Sequence, residues 1–159
     1  MTASRIRATA SLALLLAAAA CGKDSTGPNV PTIEETTFAS SLGITLSTFT
    51  KTGSGLYWKD LVVGSGAGAT VGKKVSIHYV GSLPDGTQFD ANGPTAAPFQ
   101  FTIGAGQVIG GFDEGVRGMA VGGKRQLIIP PALAYGNRAV GPIPANSILV
   151  FTIDLVAIQ

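Results

Sequence analysis

The chain has one cysteine and one histidine in 159 residues, too few to close a zinc site, and no cluster of carboxylates with metal-ligand spacing replaces them. No metal and no cofactor is expected. Charge is sparse, at 13% of residues. The cations gather only as the pairs Lys73-Lys74 and Lys124-Arg125, so the basic run that releases counterions from nucleic acid is missing and nucleic acid is not an expected partner. No phosphate-loop lysine motif occurs. Gly104-Ala105-Gly106-Gln107-Val108-Ile109-Gly110 has the outline of a dinucleotide loop, but its last glycine falls one position late, and neither a βαβ pattern nor a suitably spaced acid accompanies it. These glycines fit better as a tight approach to a helix beginning near Gly111. No internal repeat is visible, and the length suits one core.

Long apolar runs are scarce too. One begins at Ala8 and ends at Ala20, with Leu12, Leu14, Leu15 and Leu16 inside it and Arg5 and Arg7 before it. This pattern reads as an export signal over residues 1–20, shorter than the roughly 20 apolar residues a membrane span needs. Cys21 follows Ala18-Ala19-Ala20 and resembles the lipidated cysteine of a bacterial lipoprotein, although Ala18 stands where leucine is commonest; ordinary cleavage at the alanines is the alternative. The lipid reading places the protein in a bacterial cell envelope, on the periplasmic or surface side, held to a membrane only through its N-terminal lipid. With Arg5 and Arg7 removed, nine basic residues balance nine acidic ones.

Residues 21–52 divide into a tether and a short arm. Gly22–Pro31 is rich in Gly, Pro, Ser, Asn and Asp, which gives reach. Thr32–Thr50 carries Ile33, Phe38, Leu42, Ile44, Leu46 and Phe49, too apolar for a linker, with Glu34 and Glu35 near a possible helix start. An ordered arm packed on the domain is expected. It is too short for a dimerising stalk, which favours a monomer.

What the chain has in plenty is glycine, 22 residues, which suits short strands joined by tight turns. Val75, Ile77 and Tyr79 alternate with Ser76, His78 and Val80, so a strand there points Tyr79 inward and His78 away. Leu83-Pro84-Asp85-Gly86 is a type I turn signal that returns the chain through Phe89 and Asp90. A Ser-His-Asp site would need His78, which this parity turns away from Tyr79 and Asp90. Further strands are predicted over Gly55–Val63, Phe99–Ile103, Lys124–Ile129 and Ser147–Ile158, with Phe151 on the face of the last that meets a helix. Phe112, Val116 and Met119 recur at helical spacing, with Asp113 and Glu114 in the first turn. Strands around one short helix make an α+β fold. From periodicity alone Phe99, Phe112 and Phe151 read as core, and Asp90 as a turn cap.

Taken with Gln107–Phe112, Ala134-Tyr135-Gly136 and Ile148–Phe151, the Val75–Asp90 hairpin closely resembles the FKBP-type peptidyl-prolyl cis-trans isomerases, from about Gly53 to the C-terminus. The resemblance implies an isomerase domain over residues 53–159, a twisted antiparallel β-sheet wrapped around one short α-helix, and an aromatic cup for a proline ring. It further implies roles. Tyr79, Asp90, the Ile109 N–H and the Tyr135 hydroxyl would act on the reacting amide and its carbonyls. Phe89, Phe99, Val108, Phe112 and Phe151 would wall the cup, with Phe112 as the floor where tryptophan is usual. Ile143, in a rim loop from Gly136 to Asn146, would contact residues flanking the proline. Partners would be proline-containing polypeptides, among them envelope proteins being folded, and the macrolides rapamycin and tacrolimus. Two positions depart from the family: Thr95 replaces an arginine that often pairs with the pocket aspartate, and the rim loop is one residue shorter and lacks a histidine. A proline-binding or chaperone module without catalysis, and a structural lipoprotein with a fold-level likeness only, are the alternative readings.

Overall fold

A computed structural model describes residues 30–159. The export signal, Cys21 and the tether up to Asn29 lie outside the described residues. Among those described, no helix is long and apolar enough to cross a membrane.

Seven strands form one antiparallel sheet: β1 Thr50–Lys51, β2 Tyr57–Val62, β3 Lys74–Ser82, β4 Gln88–Asn92, β5 Phe99–Thr102, β6 Lys124–Ile129 and β7 Leu149–Ile158. The order is β1-β2-β6-β7-β3-β4, and β5 pairs with the first half of β3 on the edge whose second half takes β4. The turn signal at Leu83–Gly86 produces a turn closed by the Gly86 N–H on the Leu83 carbonyl at 3.0 Å, with Gly86 at φ 88°. Strand β6 matches its sequence-derived bounds.

The helix α1, Gly110–Val116, packs on β6 at close range. Gly111 and Gly115, one turn apart, make this approach possible: a Cβ on Gly111 would lie 2.4 Å from Ile129 Cγ2, and one on Gly115 would lie 2.3 Å from Leu127 Cδ1. Met119 lies past the helix end, beyond the left-handed Gly118 at φ 74°, and still reaches the core.

Both faces of the sheet are covered where they need to be. On the helix side Val75, Ile77, Phe101, Phe112, Val116, Leu127, Phe151, Ile153 and Leu155 make the main core. On the opposite side Ile33, Tyr57, Ile128, Ile148 and Val150 make a second cluster, against which Phe38, Leu42, Ile44, Leu46 and Phe49 of the arm pack. Two sequence expectations are corrected here. No α-helix starts at Glu34; the arm instead forms short 3₁₀ turns, Ser40–Leu42 and Leu46–Thr48, and Glu34 accepts hydrogen bonds from Lys51 Nζ and, at 2.6 Å, the Tyr57 hydroxyl. The sheet also begins earlier than Gly55, because β1 belongs to the arm and pairs Thr50 with Trp58.

Candidate active site

Six segments converge on one cup of about 110 Å³, lined by Tyr79, Asp90, Phe99, Val108, Ile109, Phe112, Tyr135 and Phe151. Tyr79 comes from the middle of β3, Asp90 from β4, Phe99 from the start of β5, and Phe151 from β7. Phe112 stands on α1, Val108 and Ile109 precede it, and Tyr135 sits on the loop after a short 3₁₀ turn, Pro131–Leu133. The rings meet edge to face: Phe112 and Phe151 lie 5.0 Å apart at 85°, Tyr79 and Phe112 5.9 Å at 82°, Tyr79 and Phe99 5.9 Å at 76°. Such pairs are favourable because the positive ring edge meets a negative face, and each adds about 0.5–1.5 kcal/mol beyond area burial. Phe112 and Phe151 are buried and form the bottom, whereas Phe99 and Tyr135 are 37% and 36% exposed and form the lip. Larger hollows of about 360 Å³ lie where the arm meets the domain, but their linings lack this aromatic set. A cup this small admits one side-chain-sized ring rather than a nucleotide or a drug-sized ligand in full.

The polar groups of the cup are few. Asp90 lies opposite Gly81 in the ladder, diagonal to Tyr79, and its Oδ2 accepts the Tyr79 hydroxyl at 2.7 Å. With threonine at position 95, it is Tyr79 that orients the carboxylate. Burial, then the hydrogen bond to Asp90, push the Tyr79 hydroxyl up to about 12, so it remains a proton-bearing donor at any ordinary pH. The Ile109 N–H, just ahead of α1, has no hydrogen-bond partner among the described residues. Its carbonyl accepts the Phe112 N–H at 3.0 Å and the Asp113 N–H at 3.1 Å. Ile109 is thus anchored through its carbonyl while its own N–H is available. His78 hydrogen-bonds Asn92 Oδ1 at 2.9 Å and is absent from the cup lining, as its strand parity requires.

Two residues expected at the cup are placed elsewhere. Phe89 stands behind Phe151, 5.6 Å away at 84°, outside the lining. It fits there because Gly81 has no side chain; a Cβ would lie 2.7 Å from both rings. Ile143 is 5% exposed and belongs to the core, so it is not a rim contact. The reason is a local reversal: the Val140 and Ile143 backbones hydrogen-bond each other at 2.9 Å both ways, which turns Ile143 inward and leaves Val140 exposed.

Other positioning residues escaped the sequence reading. Buried Asp113 holds the loop before the helix, accepting the Gly104 N–H at 2.7 Å and pairing with Arg117 one turn on. The i, i+4 spacing of Asp113 and Arg117 was the available signal. Arg125 donates to the Gly115 and Arg117 carbonyls at the helix end, 3.0 Å each, while pairing with Asp60 and lying 4.1 Å over the Trp58 ring. No spacing in the sequence marks that contact. Trp58 itself does not line the cup.

A sequence model described as FKBP-type peptidyl-prolyl cis-trans isomerase matches residues 66–156. The FK506-binding protein of Streptomyces anulatus is 50% identical over 103 residues, 63% of this chain and 83% of that protein. FK506-binding protein 3 of Candida albicans is 50% identical over 105 residues, 66% of this chain. The chain spans only 24% of that relative's length. Among solved structures, AtFKBP13 superposes with a TM-score of 0.65 at 41% identity, covering 70% of this chain and 98% of that one. FkpA from Escherichia coli gives 0.65 at 35% identity, covering 70% and 52%. The aromatic cup thus sits in a fold and a sequence that agree over most of the described chain, which belongs to the FKBP-type peptidyl-prolyl cis-trans isomerase family.

Proposed function

We propose that this chain catalyses cis-trans rotation about Xaa-Pro bonds by positioning and desolvation, without an acid, base or nucleophile. The observation that carries the reading is an aromatic cup the size of one ring with the unpaired Ile109 N–H at its wall. A planar Xaa-Pro amide is held by resonance against a barrier of about 18–20 kcal/mol, and unaided rotation takes tens to hundreds of seconds. Rotation breaks the resonance and reduces the polarisation of the amide. A site that strips water from the planar form therefore disfavours the ground state more than the twisted one. Phe112 and Phe151 would seat the proline ring, with Val108, Phe99 and Tyr79 as walls. The Ile109 N–H and the Tyr135 hydroxyl would donate to substrate carbonyls, and Asp90, held by Tyr79, would lie beside the rotating amide. A millionfold gain corresponds to about 8 kcal/mol, within reach of burial and oriented hydrogen bonds together.

Proline-containing polypeptides are the proposed substrates, and rapamycin and tacrolimus the proposed competitors. A direct isomerisation assay on a panel of Xaa-Pro peptides tests the reading. Saturable catalysis inhibited by either macrolide is expected. Binding of the same peptides with no acceleration would establish instead a binding or chaperone module. We further propose that the monomeric domain acts on folding proteins of a bacterial envelope, anchored by lipid on Cys21. Cys21→Ser should then move the protein to the soluble exported fraction, and an unmodified Cys21 in the mass of the wild-type protein would refute the anchor.

A further inference from the structure

The arm reaches an edge strand of the site. Strand β4 is an edge: β3 pairs with it on one side, and the ladder shifts register between Gly81 and Ser82. A one-residue slip of an edge strand turns its side chains to the opposite face, so register decides whether Asp90 faces Tyr79. The tip of the turn joining these strands is held from outside the sheet. The Ala39 N–H donates to the Pro84 carbonyl at 2.8 Å. Packing there is close: a Cβ on Gly86 would meet Ser41 Oγ at 2.9 Å and Ala39 Cβ at 3.3 Å. The arm is fixed to the sheet in turn, since the buried Gln126 amide donates to the Leu42 carbonyl at 2.9 Å and Phe38 and Leu42 pack on the second cluster. All these arm residues precede the span matched by the family, 66–156.

We infer that Ala39–Ser41 is a positioning element for the isomerase site: by pinning the tip of the β3–β4 turn it keeps Asp90 against the Tyr79 hydroxyl. The inference rests on the activity proposed above. When the arm leaves the tip, β4 opens from its ladder and the carboxylate leaves Tyr79. Phe112 and Phe151 keep their own anchors on α1 and β7, and only the Phe89 contact behind the Phe151 ring loosens with β4. Loss of the contact therefore lowers kcat and spares KM.

Ala39→Pro in the full chain isolates the contact. It removes the single N–H donor, and φ at Ala39 is −58°, within the range proline imposes. The Gly86 and Thr87 amides, which donate to Leu83 O and Asp85 Oδ1, should exchange about fivefold faster, the factor that one ordinary hydrogen bond sets on a local opening. The turnover number should fall severalfold at unchanged KM and unchanged circular dichroism. Thr48→Ala, which removes an exposed hydrogen bond within the arm, should change neither quantity. A folded Ala39→Pro protein with wild-type kcat and wild-type exchange would overturn the inference. So would a loss of activity that merely follows the fraction unfolded. If Ala39→Pro does not fold, native-state exchange of the wild-type chain decides: Ala39, Gly86 and Thr87 should open together with one free energy, and independent opening refutes the coupling. A wild-type chain without isomerase activity would sink the proposed function, and the exchange experiment would still judge the pinning.

Discussion

The two faces of the sheet carry the same kind of apolar surface to different ends. On the helix side the closing element is α1, which covers the core but stops short of filling the corner where β3, β5 and β7 present Tyr79, Phe99 and Phe151. On the other side the arm lays Phe38, Leu42, Ile44, Leu46 and Phe49 over Tyr57, Ile128 and Val150. One face is left with an aromatic hollow; the other is covered by the arm, and the larger hollows at that junction lack the aromatic set. Adjacent residues of β7 fall on opposite sides of this division, Phe151 in the cup and Val150 under the arm, each at most 6% exposed. Burial therefore does not separate the residues of the site from those of the scaffold. What separates them is which covering element, α1 or the arm, lies over their face.

The comparison is most exposed to Phe151→Ala and Val150→Ala. Truncating a buried phenylalanine costs about 3–5 kcal/mol through lost transfer energy and cavity, and at Phe151 it also removes the ring that meets Phe112, Phe89 and Tyr79. Isomerase activity should fall by about two orders of magnitude or more, equivalent to about 3 kcal/mol. Val150→Ala should cost about 2 kcal/mol in a urea melt and leave kcat and KM at wild-type values in the folded protein. Equal losses of activity from the two would show that the faces are not functionally distinct.

Much of this division is visible in the sequence. The period-two alternation of Val75–Tyr79 and of Leu149–Leu155, together with the Leu83–Gly86 turn, assigns Tyr79, Asp90 and Phe151 to a common side. Those signals are local, and strand parity carries them into space. The members of the cup beyond that came from family likeness, because Val108, Ile109 and Tyr135 lie on irregular backbone where no period applies. What could not be read depends on distant segments meeting. Strand β1 is two residues long and becomes a strand only against Trp58 and Tyr57. Ile143 turns inward through a reversal of the rim loop, and Arg125 finds the helix end across the core.

A smaller and more selective effect is expected at Asp90. The carboxylate is exposed at the cup edge and receives one short hydrogen bond from Tyr79. Asp90→Asn keeps the shape and the acceptor while removing the charge. Hydrogen bonds to charged groups are worth about 1.5–3 kcal/mol against about 1 for neutral ones, so kcat should drop about fivefold to tenfold with little change in the thermal midpoint. An unaltered kcat would reduce Asp90 to a strand residue and move the functional part of the front face to its rings alone.

The front face should respond to alkali through Tyr79, as the back face should through Tyr57, whose hydroxyl is also pushed up by its hydrogen bond to Glu34. Because Tyr79 is pushed from 10 up to about 12 in the folded protein, its contribution to stability is complete below pH 10 and fades as pH rises through 12. Across pH 6 to 8 the hydroxyl does not change state, and turnover should be flat. Tyr79→Phe should lose less stability than the wild type between pH 10 and pH 12, measured by denaturant titration at each pH. Identical alkaline losses would mean that Tyr79 is not the group whose ionisation the fold opposes.

The smallest expected effect belongs to the back face and has the opposite sign in pH. The donors Lys51 and then Tyr57 hold the Glu34 carboxyl down from 4.5 to about 2. A depressed carboxyl stabilises the fold above its unfolded value, and that stabilisation is lost as pH falls from 4.5 through about 2. Both partners of the ion pair are half exposed, and such pairs are worth about 0.2–1 kcal/mol once solvent screening is included. Glu34→Gln should therefore lower the thermal midpoint slightly at pH 7, converge with the wild type near pH 2, and leave kcat at pH 7 unchanged. Raising the salt concentration should shrink the difference at pH 7, because exposed charges are screened. A Glu34→Gln protein whose stability deficit persists undiminished at pH 2 and in high salt would show that the residue ties the arm through shape rather than charge. The acid response assigned to the back face would then have another source.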